Sequence, residues 1–348
     1  MARRGDIVSD SSREQGRSMR ICLMGLAATV AVLACGAGSA ATAAGYVYTA
    51  LDDPAAAPGA TFVYGINDLG QVTGYFSDIS GLNHGFVESG SVYTTLDNPA
   101  AAPGQTFASA INNAGQVVGT FSDTSGLSHG FVESGGVYTT LDDPAGAPGQ
   151  ISASGINNTG QVVGTFSDTS GANHGFVESG GIYTTLDDPA AYAGQTYASG
   201  INDAGQVTGY FFDAASGIAR GFVESGGLYT NLDAPSFGDT FASGINNMGQ
   251  VTGFVYEIGS ATQHGFVEIG GLYIFLNYPG ASGYTDGLGI NGLGQVVGIF
   301  GDASGGTHGF VATPVPEPAA WAMLLIGFGS LGATLRAERK KNGARAPA

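Results

Sequence analysis

One sequence pattern occurs six times in this chain at a nearly constant interval. The copy at 115–144 reads GQVVGTFSDTSGLSHGFVESGGVYTTLDDP, and successive copies are 44 or 45 residues apart. A single asparagine marks each copy: Asn67, Asn112, Asn157, Asn202, Asn246 and Asn291. A fixed period of this length predicts a repeat architecture, because one such unit cannot bury its apolar face alone and packs against its neighbours.

Each copy is predicted to form four short strands, because segments rich in β-branched and aromatic residues are bounded by turn residues. Representative segments are TFASGIN (240–246), QVVGTF (116–121), HGFVE (129–133) and VYTTLD (137–142). Three links are short and favour tight turns, whereas the link to the next copy is longer and contains proline. Repeated four-stranded meanders of about 40–45 residues are typical of β-propeller blades. A parallel β-solenoid is the main alternative, but its coils are shorter and lack three hairpins per repeat.

The two ends of the repeat array indicate how it closes. A lone fourth-strand sequence, YVYTALDDP (46–54), precedes the first full copy, and no fourth strand follows HGFV (308–311) in the sixth. We therefore expect the N-terminal strand to complete the sixth unit, because a closed ring leaves no unpaired edge at the join. The small residues of the first strands suit a crowded axis. The sequence thus predicts an all-β fold, a six-bladed β-propeller over 45–312.

Residues 1–44 are predicted to be a signal peptide. The segment 21–35 is an uncharged apolar run that follows two arginines, and small residues after it offer a cleavage site at 41–43. The basic region is long, so Met19 is an alternative start. Lipidation at Cys35 is an alternative to ordinary cleavage, although the leucine near it is atypical of such a site.

Residues 313–348 combine a Pro-Glu-Pro element, an apolar run and a basic cluster. The apolar run 319–335 would be about 26 Å long as a helix at ~1.5 Å per residue, just short of a ~30 Å bilayer core. The basic cluster is expected to stay in the cytoplasm, which agrees with an exported N-terminus. A simple tail anchor has the same physical pattern.

At these residues the chain resembles the PEP-CTERM sorting signals of Gram-negative bacteria. The matching positions are Pro316, Glu317, Pro318, Trp321, Ala322 and Met323, followed by the basic residues Arg336, Arg339, Lys340 and Lys341. The resemblance implies recognition by an exosortase-type membrane enzyme, removal of the tail, and delivery to the cell surface or an exopolysaccharide matrix. Before removal, the chain is expected to contact the membrane through its C-terminal helix.

The repeats are similar to the HAF-type extracellular repeat. Its His-Gly/Ala-Phe signature occurs here as His84-Gly85-Phe86 and at equivalent positions in other copies. This resemblance implies an extracellular location and adds no specific activity.

The charge of the repeats excludes one class of partner. Residues 45–312 contain 23 Asp and Glu side chains against Arg220 alone, a formal charge of −22. Nucleic-acid binding is excluded, because phosphate contacts need clustered Lys and Arg. Such a charge favours solubility and attracts cations or basic partners. Both cysteines, Cys22 and Cys35, lie in the leader, so the core is expected to fold without a disulfide.

Five histidines occupy one position of the repeat, and the fourth copy has Arg220 there. The histidines are His84, His129, His174, His264 and His308. Imidazole is a common metal ligand, but ring symmetry separates equivalent positions unless they line the axis. We therefore expect these side chains to satisfy backbone groups near the third strand rather than to form a metal ring. The marker asparagines are likewise expected to stabilise turns.

Two sets of aspartates recur in loops. The first set is Asp78, Asp123, Asp168, Asp213 and Asp302, and the second set, near prolines, is Asp52, Asp97, Asp142, Asp187 and Asp233. Calcium binds several carboxylate and carbonyl oxygens from flexible loops, which makes the first set candidate calcium ligands. Neither loop reproduces a spaced calcium motif, and aspartate also stabilises turns through its own backbone. Turn formation is the expected role, with calcium as the single cofactor candidate.

No catalytic constellation is evident in the sequence, which lacks a phosphate loop with its lysine, a Cys/His metal spacing and a serine-centred elbow. Residues that break the repeat, such as Glu257, Tyr278 and Tyr284, are scattered, as expected for drift. The sequence therefore predicts a secreted, non-enzymatic binding or structural protein, whose repeated weak sites suit multivalent attachment to a surface polymer. The alternative is a carbohydrate-active enzyme in the axial cleft, which would need two carboxylates roughly 5–10 Å apart.

Overall fold

A computed structural model of the protein describes residues 41–43 and 45–315. The described residues form 25 β-strands and no helix. Accordingly, this part of the chain contains no helix with the length and apolar character needed to cross a bilayer. The predicted signal helix, the Pro-Glu-Pro element and the predicted C-terminal membrane helix lie outside the described residues.

The strands follow the six repeats. The chain enters through β1 (Ala41–Ala43) and β2 (Tyr46–Leu51). The first repeat comprises β3 (Thr61–Ile66), β4 (Val72–Ser77), β5 (Asn83–Ser89) and β6 (Val92–Leu96). The second comprises β7 (Thr106–Ile111), β8 (Val117–Ser122), β9 (Ser128–Ser134) and β10 (Val137–Leu141). The third comprises β11 (Ile151–Ile156), β12 (Val162–Ser167), β13 (Asn173–Ser179) and β14 (Ile182–Leu186).

The remaining repeats have the same order. The fourth comprises β15 (Ala191–Ile201), β16 (Val207–Asp213), β17 (Ala219–Ser225) and β18 (Leu228–Leu232). The fifth comprises β19 (Thr240–Ile245), β20 (Val251–Tyr256), β21 (Gln263–Ile269) and β22 (Leu272–Leu276). The sixth comprises β23 (Thr285–Ile290), β24 (Val296–Gly301) and β25 (Thr307–Pro314). The four representative strands predicted from the sequence differ from these bounds by at most one residue at either end.

The repeats lie side by side around a ring, with the first strand of each contacting the first strand of the next and β23 contacting β3. Hydrogen bonding divides the strands into five sheets, three of four strands, one of five and one of eight. The eight-stranded sheet arises because a single parallel bridge, between Asn173 and Gln195, joins the third and fourth repeats. Isolated bridges, such as that of Ala60 with Thr307, link other neighbours. The described chain is therefore an all-β propeller.

The sixth repeat obtains its fourth strand from the N-terminal end of the described chain. Strand β2 pairs antiparallel with β25, beginning with Tyr46 opposite Pro314, and this is the pairing that the sequence predicted. Tyr48 is 1% exposed, and its ring lies 5.7 Å from that of Phe310 and 5.6 Å from that of Tyr278. The N-terminal strand is thus part of the core.

The first strands lie at the axis, where small residues allow close approach. A Cβ atom on Gly289 would lie 2.6 Å from the carbonyl oxygen of Tyr64 in the first repeat, so only glycine fits there. The marker asparagine follows each first strand, and its side-chain Nδ2 donates to the backbone carbonyl of the marker asparagine in the next repeat. The distance is 3.0 Å from Asn67 to Asn112 and 3.1 Å from Asn291 back to Asn67. The other four links have the same form. The predicted turn role is confirmed, because the side-chain oxygen of Asn67 accepts hydrogen bonds from the N–H groups of Leu69 and Gln71 in the same turn. The marker asparagines thus stabilise their own turns and also join neighbouring repeats.

The apolar core lies between successive sheets rather than in one central cluster. The phenylalanine of the His-Gly-Phe position is fully buried in all six repeats, at Phe86, Phe131, Phe176, Phe222, Phe266 and Phe310. Each such burial contributes about 1.5–3 kcal/mol. The signature motif therefore combines a core residue with the polar residue two positions before it.

Alternating strand direction gives the propeller two faces. We name the asparagine face after the marker asparagines; it carries the turns between first and second strands and between third and fourth strands. The aspartate face carries the loops between second and third strands and the links between repeats. Of the 23 carboxylates in residues 45–312, fifteen lie on the aspartate face, seven lie on the asparagine face, and Asp286 lies inside.

Candidate functional site

The recurrent histidines lie on the aspartate face, between the two sets of recurrent aspartates. In the first repeat, His84 Nδ1 bonds to Asp97 Oδ1 at 2.8 Å, and His84 Nε2 lies 3.7 Å from Asp78 Oδ2. The arrangement recurs at His129, His174 and His308. The expectation that the five histidines would satisfy backbone groups is wrong, because their partners are side chains: carboxylates for these four and the Asn277 amide for His264.

The fourth and fifth repeats vary this arrangement. Arg220 Nε donates to Asp213 at 2.8 Å, and a terminal nitrogen of Arg220 donates to Asp233 at 2.6 Å. A permanent cation thus satisfies the two carboxylates that a histidine satisfies elsewhere. In the fifth repeat, His264 bonds to the side chain of Asn277 at 2.6 Å. The two aspartate sets, which look separate in the sequence, therefore belong to the same clusters.

The first-set aspartates also organise their own loops. In the first repeat, Asp78 Oδ1 accepts the N–H groups of Ser80 at 2.7 Å and Leu82 at 2.9 Å, and these bonds, that from Leu82 foremost, hold the pKa of Asp78 below its usual value. A bond from the Ser170 hydroxyl is the main cause that lowers the pKa of Asp168 to about 2. Turn formation is thus visible at these residues. Within the described ranges no group of three or more His, Cys, Asp or Glu side chains is arranged to hold a metal ion, and calcium binding stays a prediction.

The pairing of His308 predicts a pH dependence of stability. Burial opposes the charge, but hydrogen bonds to Asp52 and Asp302 raise the pKa of His308 above its usual value. A raised histidine pKa contributes stability below about pH 6.5, and this stability is lost as the pH rises through the folded-state pKa. We expect His308→Arg to flatten the melting temperature between about pH 6 and 8, because arginine stays charged. His308→Gln should lower the melting temperature mainly at the acidic end, and identical profiles for all three proteins would contradict the assignment.

A second region, at the ends of the first strands nearest the aspartate face, differs from repeat to repeat. It is formed by the residue four positions before the last residue of each first strand and the residue paired with it on the second strand, and we name it the variable wall. In repeat order the pairs are Phe62 with Tyr75, Phe107 with Thr120, Ser152 with Thr165, Tyr197 with Tyr210, Phe241 with Phe254, and Asp286 with Ile299. Three of these pairs are stacked aromatic rings, with centroids 4.6, 4.7 and 4.9 Å apart.

The third repeat leaves a pocket in the variable wall. Where three other repeats stack two rings, it has Ser152 and Thr165, and a pocket of about 400 Å³ opens beside them. The stacked rings of Tyr197 and Tyr210 line its other side, and Asn173 Nδ2 donates to the Tyr197 hydroxyl at 3.0 Å, which fixes that ring. The remaining lining consists mostly of serine, threonine and glutamine side chains. An aromatic face beside hydroxyl and amide groups is suited to a polar ligand with one apolar surface.

Asp286 is the one carboxylate of the variable wall, and it is 8% exposed. Burial raises the pKa of Asp286 to about 7. With its amide nitrogen toward this carboxylate, Gln263 donates to both oxygens of Asp286, at 2.9 and 3.1 Å, and accepts a hydrogen bond from the Tyr256 hydroxyl. A carboxyl group that titrates near neutral pH could serve as a general acid, but the variable wall supplies no second carboxylate as its partner.

The axial channel is narrow. Two cavities of about 80 and 70 Å³ lie along it. The first is lined mainly by Ser, Gly and Ile residues of the first strands, and the second by the marker asparagines and the residues that follow them, among them Asp68 and Asp203. Since one water occupies about 30 Å³ of liquid, these cavities have room for a few waters and not for a sugar. No carboxylate lines the larger pocket of the third repeat. Among these places, the catalytic alternative therefore finds two carboxylates only in the axial cavity of about 70 Å³, where a sugar does not fit, and none in the larger pocket.

The variable wall was not among the sites predicted from the sequence. The tyrosines that depart from the repeat pattern are structural: Tyr278 stacks on Phe300 in the core with ring centroids 3.6 Å apart, and the Tyr284 hydroxyl bonds to Thr307 at 2.6 Å. A position-by-position comparison of the six copies could have found the wall. Its first-strand position is aromatic in four repeats, Ser152 in the third and Asp286 in the sixth.

Comparisons with known proteins concern the tail and the fold. Residues 314–340 match the family model of the PEP-CTERM protein-sorting motif, whereas no curated protein matches the chain. Similar solved structures include a mutant Aleuria aurantia lectin in complex with Fucalpha1-6GlcNAc, at 12% identity over 75% of this chain and 100% of that chain, with a TM-score of 0.46. The β-propeller domain of the Trilobed protease from Pyrococcus furiosus matches at 10% identity over 74% and 98%, with a TM-score of 0.44.

A gluconolactonase from Xanthomonas campestris matches at 12% identity over 78% of this chain and 90% of that chain, with a TM-score of 0.44. These similarities are at the level of overall architecture. The family match is local and specific. The chain carries a PEP-CTERM sorting motif at its C-terminus, which implies export, processing by an exosortase and sorting toward the cell surface.

Proposed function

We propose that this protein is an exported, non-enzymatic propeller that binds a carbohydrate polymer at the cell surface or in the surrounding matrix. The observation that carries the proposal is the pocket of about 400 Å³ at the third repeat, where the stacked ring of Tyr197 faces the polar side chains of Ser152 and Thr165. A sugar ring suits this pocket, because its C–H face packs on an aromatic ring while its hydroxyls bond to hydroxyl and amide groups.

In this proposal the six repeats are the six blades of one closed ring. The continuous ring of asparagine hydrogen bonds and the pairing of β2 with β25 support that count. The repeats are assigned to the HAF type on their His-Gly-Phe signature. Because the pocket occurs at one repeat, the proposal favours one principal site over the sixfold multivalent attachment expected from the sequence.

The proposed route depends on the two ends of the chain. The leader, residues 1–44, directs export, and an exosortase-type membrane enzyme recognises the Pro-Glu-Pro element of the tail, residues 313–348. Until the tail is removed, its apolar run anchors the protein in the membrane, with the C-terminus in the cytoplasm. Removal then delivers the propeller to the cell surface or to an exopolysaccharide matrix.

The charge of the aspartate face limits which polymers can bind in the pocket. Fifteen carboxylates share this face with the pocket, so an acidic polysaccharide would be repelled unless cations bridge it. We therefore propose a neutral glycan as the main ligand. If the first-set aspartates bind calcium, retention on an acidic polysaccharide should appear with millimolar calcium and disappear with a chelator.

The pocket is tested by filling it with residues that the chain already uses elsewhere. Ser152→Phe combined with Thr165→Tyr reproduces the stacked pair of the first repeat, Phe62 on Tyr75, so the fold should tolerate it. We expect this double variant to lose retention on a panel of neutral polysaccharides while keeping its melting temperature.

A second variant and a control define the outcome. Tyr197→Ala should weaken binding at least about tenfold, since a tyrosine anchor contributes more than about 1.4 kcal/mol, whereas Tyr192→Ala, at an exposed site outside the pocket, should bind as the parent does. Undiminished retention by the filled-pocket variant would overturn the site. Release of reducing ends from any glycan would instead favour the enzymatic alternative.

A further inference from the structure

We infer that the asparagine face of the propeller rests on the outer surface of the bilayer while the C-terminal tail is inserted. The inference rests on the tail insertion included in the proposed function, and it is independent of glycan binding. The first observation that supports it is the position at which β25, the last strand, ends. Strand β25 ends at Pro314, and the Val315 N–H donates to the Gly45 carbonyl at 2.9 Å.

Contacts place that exit on the asparagine face. Gln295 Nε2 lies 3.3 Å from Thr313 Oγ1, and Gln295 belongs to the turn that follows the marker Asn291. A Cβ atom on Gly294 of the same turn would lie 3.7 Å from Pro314 Cγ. The tail therefore begins beside a turn of this face and not beside the aspartate loops.

The tether is short. Four residues separate Pro314 from the apolar run at 319–335. Fully extended, the five peptide units from Pro314 to the start of that run reach at most about 17–18 Å, at about 3.3–3.6 Å per residue. The interfacial layer of one leaflet occupies about 5–7 Å of that distance. Insertion of the tail thus holds the exit point of the propeller within about 10–13 Å of the outer edge of the headgroups.

The asparagine face presents aliphatic side chains at equivalent turn positions. They are Leu69, Met248 and Leu293 in the turns after the first strands, and Val92, Val137, Ile182, Leu228 and Leu272 at the turns before the fourth strands, each 62–75% exposed. Because the repeats place equivalent residues at one height around the ring, these side chains can meet a flat surface together. Single exposed aliphatics need no explanation, but a set that recurs around one face suits a bilayer interface.

The charge distribution supports the same orientation. The asparagine face carries seven carboxylates, and five of these, Glu88, Glu133, Glu178, Glu224 and Glu268, are 6–8% exposed and accept N–H groups of their own hairpin turns. The aspartate face carries fifteen. Since bacterial membranes contain anionic lipids, the less acidic face experiences the smaller repulsion.

Lipid-borne quenching tests the orientation in the full chain. Cys22 and Cys35 are replaced by serine, which leaves no other cysteine, and one cysteine bearing a fluorophore is introduced at a time. The sites on the asparagine face are Leu293, Leu272 and Val137, and the matched controls on the aspartate face are Ile79 and Ile258, which are 88% and 69% exposed. The proteins are reconstituted into phosphatidylcholine vesicles that contain a headgroup-labelled quencher, and tail insertion is checked separately by carbonate-resistant association.

We expect the three asparagine-face labels to be quenched at least about twofold more strongly than the two control labels. Equal quenching on both faces, or stronger quenching of the controls, would overturn the inference. Quenching at Leu293 alone would also overturn it, because the propeller would then hang from its exit point. Cross-linking of the same asparagine-face cysteines before labelling, with no quenching after it, would identify a second copy as the occupant and overturn the inference. Loss of carbonate-resistant association would instead show that the proposed tail insertion has failed.

Discussion

Removal of Tyr46–Pro54 is expected to lower the free energy of unfolding by several kcal/mol and the melting temperature by more than about 10 °C. The segment contains all of β2, which supplies the fourth strand of the sixth repeat. Its loss exposes the edge of β25 and empties the space around Tyr48, which is buried against Phe310 and Tyr278. Thermal unfolding followed by circular dichroism measures the effect on leaderless protein.

Two single substitutions test the same prediction with different expected losses of stability. Tyr48→Ala should cost about 3–5 kcal/mol, as expected for a large buried ring. Tyr138→Ala, at the equivalent position of the second repeat, should cost less, because Tyr138 is only half-buried. If the deletion leaves the melting temperature unchanged, the N-terminal strand does not close the ring.

Asp286→Asn is expected to stabilise the protein at pH 8, because burial raises the pKa of Asp286 from 3.8 to about 7. The gain is at most about 4 kcal/mol, since the two hydrogen bonds from Gln263 to the carboxylate offset part of the cost of burial. Below about pH 4 the carboxyl is protonated in both the folded and the unfolded states, so it costs nothing. Between about pH 4 and 7 the unfolded chain releases the proton while the folded protein keeps it, and stability falls as the pH rises. Asparagine keeps a polar partner for Gln263 without the charge.

Urea unfolding at several pH values measures this effect. The Asp286→Asn profile should be flatter than that of the parent between about pH 4 and 7. Asp302→Asn is the control of opposite sign, because hydrogen bonds, that from the Gly306 N–H foremost, lower the pKa of Asp302 to about 2. Its carboxylate contributes stability above about pH 4 that is lost as the pH falls toward 2. Parallel profiles for Asp286→Asn and the parent would show that the Asp286 carboxylate is solvated.

Much of the fold could be predicted from sequence because the information is local and repeated. The strands follow from period-two patterning between turns rich in Gly and Asn, and six copies reinforce each assignment. Closure by β2 followed from a strand missing at one end and present at the other. The role of the marker asparagines was only half predicted, since the bond from Asn67 to the carbonyl of Asn112 joins residues 45 positions apart.

The candidate site was not predicted from the sequence, because it lies where the repeats differ from one another. The recurrent histidines and aspartates were candidate metal ligands because they recur in every copy or nearly so. In the structure they form the polar clusters that stabilise the loops of each repeat. The pocket exists where recurrence fails, at Ser152 and Thr165, and its depth depends on the rings of Tyr197 and Tyr210 from the next repeat. Which differences between copies share one surface depends on strand pairing and on contacts between repeats, and a single sequence gives neither directly.

The pairing of β2 with β25 also constrains when the exported chain can finish folding. The two strands are separated by about 260 residues, and β25 ends at Pro314, where the sorting motif begins. In the proposed export, which begins at the N-terminus, β2 would cross before its partner and keep an unpaired edge until the last repeat has crossed. A chain truncated within the repeats lacks β25 and cannot close the ring.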